Sequence, residues 1–167
     1  MLKVGVIGCG YWGPNLIRNF TQLSRSDVVR VTDLEATRLE YIKGLYPNVE
    51  TTKDYTDIIQ DPEIDVVAVA TPVHTHYKFA SEALCEKKHV FVEKPMASST
   101  KQAENLIDLA EKYQRKLMVG HTFIYTSAVR KMKEIIDSGE LGEIYYINSQ
   151  RLNLGLFQQD INVIWDL

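Results

Sequence analysis

The sequence predicts a doubly wound α/β fold built on a mostly parallel sheet. Three observations carry that expectation. Short β-branched runs alternate with longer stretches of helical period from Leu2 to Asp137. The clearest run, Val66-Val67-Ala68-Val69-Ala70, is continuously apolar, as a strand is when helices cover both faces of its sheet. A glycine-rich turn, Gly8-Cys9-Gly10-Tyr11-Trp12-Gly13, joins the first strand directly to the first helix. Right-handed crossovers then leave few topologies open.

Each element has its own signal. Leu2 to Ile7 reads as the first strand, and Pro14 suits the first turn of a helix carrying Leu16, Ile17, Phe20 and Leu23 inward. Val28 to Thr32 is the second strand. The helix after it places Leu39, Ile42 and Tyr46 on one side and stops before Pro47. Val49 to Thr52 is a short strand, and Tyr55 to Gln60 a short helix. After the strand from Asp65 to Ala70, a helix over Thr75 to Lys87 turns Phe79, Ala80, Ala83 and Leu84 inward. His89 to Glu93 is the fifth strand. Ser99-Thr100-Lys101-Gln102 has the form of a capping box, opening a helix with Ala103, Leu106, Ile107 and Ala110 on one stripe. Lys116 to Gly120 is the sixth strand. Val129, Met132, Ile135 and Ile136 mark a further helix, ended by Ser138-Gly139. From Glu143 the period becomes two, and Ile144 to Leu154 reads as one long strand, which needs a partner or leaves a bare edge.

Composition narrows the functional classes. The chain has 167 residues, a formal net charge of −3, 45% hydrophobic and 25% charged residues. That balance belongs to a folded globule and excludes wholesale disorder. No lysine–arginine block marks a nucleic-acid footprint. Two cysteines, Cys9 and Cys85, make neither a disulfide framework nor a zinc pattern, so no metal is expected and a reducing cytoplasm fits. No signal-peptide pattern opens the sequence, and no apolar run approaches bilayer length, so no membrane partner is expected.

The chemistry gathers at strand ends. Gly8, Gly10 and Gly13 form G-x-G-x-x-G between a strand and a helix, the context in which this pattern cradles a dinucleotide pyrophosphate on free N–H groups, with Tyr11 and Trp12 inside the same turn. Asp33 ends the second strand 20 residues beyond Gly13, where a carboxylate accepts hydrogen bonds from the adenosine ribose. Leu34 and Glu35 follow it, so a 2′-phosphate meets repulsion and NAD is the expected cofactor, with Arg38 the one nearby cation that a phosphate could use. Thr71, Pro72 and His76 follow the fourth strand, at the edge where ligands lie in such sheets. His74 and His76 lack the further ligands that a metal requires. Glu93, Lys94 and Pro95 end the fifth strand on the same edge. An amine beside an oxidised nicotinamide ring loses its proton more readily, because like charges repel and burial disfavours the ammonium. Lys94 could then take a hydroxyl proton as hydride leaves carbon, although a lysine before proline is equally a surface turn. Pro95 fixes the loop, and an X-Pro bond there can be cis. His121, Thr122 and Tyr125 follow the sixth strand and could line a substrate pocket, or could simply pack.

Together these segments resemble the Gfo/Idh/MocA family of glucose–fructose oxidoreductase, inositol dehydrogenase and relatives. The resemblance rests on Gly8 to Gly13, the Thr71-Pro72 to His76 loop, Lys88 to Pro95 with its Glu-Lys-Pro tripeptide, and Ser138-Gly139-Glu140-Leu141-Gly142-Glu143-Ile144. It implies a Rossmann domain over residues 1–121, a connecting helix over 122–142, and the first strand of a truncated α+β substrate domain over 143–167. It also implies Lys94 at the nicotinamide, Glu93 on the cofactor's ribose, and a homo-oligomer. Asp166 matches the aspartate of the family's Asp-x-x-x-His tract, whose histidine would fall beyond Leu167. A narrower similarity, through Gly120-His121-Thr122-Phe123 and Arg151-Leu152-Asn153-Leu154-Gly155, is to the branch acting on UDP-N-acetylglucosaminuronate-type substrates, which makes Arg151 a substrate candidate. The expectation is an NAD-dependent dehydrogenase of a sugar or sugar-nucleotide secondary hydroxyl, with this stretch its N-terminal, by itself inactive, part. The alternative is a non-catalytic NAD-binding module that dimerises through residues 144–154.

Overall fold

The structure, a computed structural model, describes residues 1–150 and 152. They fall into two compact units, the first Met1–Gly120 and the second beginning at His121. In the first unit the chain runs β1 (Leu2–Ile7), α1 (Gly13–Gln22), β2 (Ser26–Thr32), α2 (Ala36–Leu45), β3 (Glu50–Thr52), α3 (Thr56–Ile59), β4 (Val66–Val69), α4 (Val73–Cys85), β5 (His89–Val92), α5 (Thr100–Lys112) and β6 (Leu117–Val119). The strands form one sheet in the order β3-β2-β1-β4-β5-β6, and every neighbouring pair is parallel. The doubly wound α/β fold expected from the alternating pattern is therefore the fold observed.

The continuous apolar strands are explained by two cores, one on each sheet face. Side chains alternate along a strand, so Val4 and Val6 of β1 join one core while Ile7 joins the other. On the first face, Leu16 and Ile17 of α1 and Leu39 and Ile42 of α2 cover Val4, Val6, Val28, Val31 and Ala68. On the second, Ile58, Ile59, Ala80, Ala83, Leu84 and Leu106 cover Ile7, Val67, Val69, Val90 and Val92. Fully burying each of the Val, Leu and Ile side chains among them contributes about 1.5–3 kcal/mol.

Several local expectations are corrected. α1 ends at Gln22, leaving Leu23 exposed beyond the turn. On α5, Leu106 is fully buried while Ile107 is 46% exposed, because adjacent residues on a helix point about 100° apart and only one of this pair meets the sheet. The capping box is half formed. Ser99 Oγ accepts from the Gln102 N–H, but the Gln102 side chain accepts from the N–H of Ser98 instead of Ser99.

The second unit contains a 3-10 turn (Thr122–Tyr125) and α6 (Ser127–Asp137), capped by the Thr126 hydroxyl. On α6, Val129 and Ile135 are half-buried while Met132 and Ile136 are exposed, so the expected inward stripe is only partly covered among the described residues. Residues 144–150 form no strand, contrary to the long strand expected there. Alternation supplies a face, but a strand exists only through a ladder, and no described strand pairs with this segment. The remainder of that expected strand, apart from Leu152, lies outside the described residues.

Candidate functional site

Because β1, β4, β5 and β6 are adjacent and parallel, the loops that leave them emerge at one edge of the sheet. The first is the glycine turn. Gly8 has φ 97°, left-handed backbone that side chains rarely adopt, and its N–H donates to the Thr32 carbonyl at 2.8 Å. Gly13 opens α1 with its Cα against the Gly8 carbonyl oxygen, where a Cβ would overlap it. Gly10 is open, with only Arg38 Nη1 as near as 3.8 Å to a Cβ built there. Trp12, at the N-cap of α1, offers no side-chain acceptor to the helix. Exposed backbone at Gly10 beside a helix N-terminus is the cradle a pyrophosphate needs, so these residues fit a dinucleotide. Tyr11 and Trp12 stand exposed on the turn in edge-to-face contact, ring centres 5.5 Å apart.

Asp33, 9% exposed, completes this end. Its Oδ2 accepts from the Cys9 N–H at 2.7 Å and its Oδ1 from the Glu35 N–H at 2.9 Å. Arg38 Nη1 lies 3.4 Å from both oxygens. The Cys9 thiol is pushed up to about 12, first by burial and then by the Asp33 charge, with Arg38 opposing. Cys9 is therefore a packing residue whose backbone matters, and its thiol is no nucleophile at neutral pH.

The loops after β4 and β5 form the other end. Thr71 Oγ1 and Thr75 Oγ1 share a hydrogen bond of 2.6 Å, and Thr75 Oγ1 donates to the Pro72 carbonyl at 2.7 Å. His76 is 1% exposed. Its Nε2 lies 2.7 Å from the Thr71 carbonyl oxygen and its Nδ1 2.8 Å from that of Pro95. Lys94 is half-buried, and the Lys94–Pro95 peptide bond is cis. Glu93 is buried, and Gly120 closes over it: a Cβ on Gly120 would lie 2.8 Å from Glu93 Oε2. Burial pushes the Glu93 carboxyl upward, opposed by the Lys94 N–H and the Lys94 charge.

The first unit thus brings together Gly8, Gly10, Tyr11, Trp12, Gly13, Asp33 and Arg38 at one end, and Thr71, Pro72, His76, Glu93, Lys94 and Pro95 at the other. His121, Thr122 and Tyr125 belong to the second unit, where all three are exposed and the Arg130 guanidinium lies 5.8 Å from the Tyr125 ring centre. Arg151 and Asp166 lie outside the described residues. The sequence motifs did not reveal the Cys9 N–H as a partner of Asp33, nor Gly120 as the wall of Glu93, because backbone roles leave no side-chain signature. Among the described residues, no group of three or more His, Cys, Asp or Glu is placed to hold a metal ion.

Residues 2–121 match a family model described as an oxidoreductase family with an NAD-binding Rossmann fold. An inositol 2-dehydrogenase/D-chiro-inositol 3-dehydrogenase of Lacticaseibacillus casei is 31% identical over 156 residues, covering 92% of this chain and 45% of that enzyme. A scyllo-inositol dehydrogenase of Lactobacillus casei, solved with NAD(H) and scyllo-inositol, aligns with a TM-score of 0.79 at 25% identity over 86% of this chain and 43% of its own. The WlbA dehydrogenase of Bordetella pertussis, solved with NADH and UDP-GlcNAcA, aligns with a TM-score of 0.80 over 86% of this chain and 42% of its own; its 23% identity speaks for the fold alone. The chain spans less than half the length of each of these relatives.

Proposed function

Because the chain belongs to the Gfo/Idh/MocA oxidoreductase family and carries its NAD-binding Rossmann fold, we propose that it is the cofactor-binding part of an NAD-dependent dehydrogenase, homo-oligomeric in its working form, that oxidises a secondary hydroxyl of a sugar, inositol or sugar nucleotide. When bound, NAD+ supplies the acceptor for the hydride that leaves the carbinol carbon. The glycine turn binds the pyrophosphate through backbone N–H groups, and Asp33 holds the adenosine ribose. Arg38, Tyr11 and Trp12 flank that end. Thr71, Pro72 and Glu93 line the nicotinamide half, with Glu93 on its ribose. Lys94 takes the hydroxyl proton, so that a C–H and an O–H bond break while the C=O bond forms. His121, Thr122, Tyr125 and Arg151 contact the substrate, and Asp166 assists the proton's movement.

The observation that supports this most directly is the position of Lys94. It is the second residue beyond β5, one strand from β4 and two from β1, at the edge onto which the glycine turn opens. The inositol substrate of the 25%-identical neighbour favours a polyol ring. The notion that the nucleotide-sugar branch applies rests on Gly120 to Phe123 and Arg151 to Gly155.

The test is turnover by the polypeptide that joins this chain to a substrate-binding region, assayed with inositols, free sugars and UDP-sugars. Lys94→Ala should lower kcat by about 100-fold or more while NADH affinity changes little, since a positioned base contributes 10²–10⁴ in rate. Unchanged turnover removes Lys94 from the chemistry.

A further inference from the structure

We propose that His76 is a positioning residue that pins the two loops of the nicotinamide half together as an imidazolium, an inference that rests on the dinucleotide reading of this edge. Its ring nitrogens lie 2.7 Å from the Thr71 carbonyl oxygen and 2.8 Å from the Pro95 carbonyl oxygen. Carbonyl oxygens only accept. A neutral imidazole carries one N–H and one lone pair, so one of the two contacts would press a lone pair against a carbonyl lone pair. Both contacts are hydrogen bonds only when both nitrogens are protonated. With the residue 1% exposed, no bulk water competes for either position.

Burial disfavours a charged imidazole, and the two carbonyl contacts oppose that cost. Two carbonyl dipoles point at the ring, and hydrogen bonds from a charged donor are about twice as strong as neutral ones. α4 packs against β4, β5 and α5. On α5 the ionisable side chains Lys101, Glu104, Asp108, Glu111 and Lys112 are exposed, β4 carries none, and β5 carries His89, half-buried at its first position. Glu93 and Lys94 belong to the loop that contains Pro95, and His74 and Lys78 on α4 itself are exposed.

The pin joins backbone atoms that sequence separates. Thr71 follows β4, and Pro95 directly follows the amine assigned to proton transfer. Fixing one carbonyl against the other sets the spacing of the two loops between which the nicotinamide ring would lie. It leaves the adenosine end, held by the glycine turn and Asp33 across β1 and β2, untouched. His76 thereby acts through Thr71 and Pro95, without contacting the dinucleotide itself.

Two measurements decide the matter. In the chain labelled with ¹⁵N-histidine, whose four histidines are His74, His76, His89 and His121, the His76 ring should show two protonated nitrogens at neutral pH without cofactor. A single protonated nitrogen overturns the proposal. His76→Phe fills the ring's space and donates to neither carbonyl; it should weaken NADH binding about tenfold and leave ADP binding within about twofold. Equal loss for NADH and ADP indicates a merely structural residue, and no loss for either removes the role; both overturn the proposal. Should that variant fail to fold, His76→Gln, which keeps one donor, is read by the same two ligands. If the unaltered chain binds neither NADH nor ADP, the dinucleotide reading has failed, and the nitrogen spectrum still decides the pin.

Discussion

The main-chain N–H of Cys9 donates to Asp33 Oδ2 at 2.7 Å, tying the turn after β1 to the end of β2. The carboxylate thereby orders the glycine turn, and under the proposed function its remaining lone pairs would meet the adenosine ribose. With the Glu35 N–H on Oδ1 and Arg38 beside both oxygens, Asp33 also sets the charge at the adenosine end.

Replacing that carboxylate should change cofactor choice. Asp33→Ser removes the repulsion toward a 2′-phosphate and releases Arg38 from its carboxylate partner. NADH affinity should fall about tenfold, the cost of a charge-assisted hydrogen bond, and the NADPH-to-NADH preference should rise by a similar factor. Adding Arg38→Ala should abolish the gain for NADPH. Titration of intrinsic fluorescence with each nucleotide measures both; a gain that survives the second change would show that Arg38 is not the phosphate's partner.

Glu93 makes stability depend on pH in a defined direction. Its carboxyl holds its proton more tightly folded than unfolded, because burial penalises the charge. The stability this contributes is complete below the ordinary value of 4.5 and is lost as pH rises through the raised folded value. Glu93→Gln should therefore melt higher than the parent at neutral pH, and the gap should close on acidification toward 4.5. Thermal melts at several pH values check this; a gap independent of pH would assign the effect to packing against Gly120 instead.

Two neighbours on α5 should behave oppositely. Leu106 is 0% exposed and Ile107 46%. Leu106→Ala should cost about 2–5 kcal/mol by leaving a cavity in the core shared with α4, whereas Ile107→Ala should cost less than about 1 kcal/mol. Urea denaturation of the two variants compares them directly.

The cysteines differ in reactivity for the same reason that they differ in place. Cys85 is exposed at the end of α4, while Cys9 is buried with its thiol pushed up to about 12. A thiol reagent should modify one site in the folded chain at neutral pH, and mass mapping should place it at Cys85. Cys9 should react only after unfolding. Rapid labelling of Cys9 in the native state would mean that the glycine turn opens readily.

Much of the fold was legible because its signals are local. The apolar run at Val66–Ala70 announces a strand covered on both faces, and Gly8, Gly10 and Gly13 announce the tight turn that joins β1 to α1. The errors fall where packing decides. Leu106 and Ile107 are equally apolar, and only the sheet chooses between them. Ile144 to Leu154 has the alternation of a strand, yet its described part, residues 144–150 and 152, forms none, since alternation does not create a partner.

By itself, then, the amino-acid order determined the alternation of strands and helices, the parallel doubly wound sheet, and which residue types stand at the strand ends, because periodicity and glycine geometry act over a few neighbouring residues. Only the tertiary structure decided that Asp33 spends two of its acceptor positions on the backbone of Cys9 and Glu35, that Gly120 walls Glu93, and that His76 bridges the carbonyls of Thr71 and Pro95. Those are contacts between loops brought together by strand order, made largely by backbone atoms that every residue carries, and no pattern of side chains along the chain can announce them.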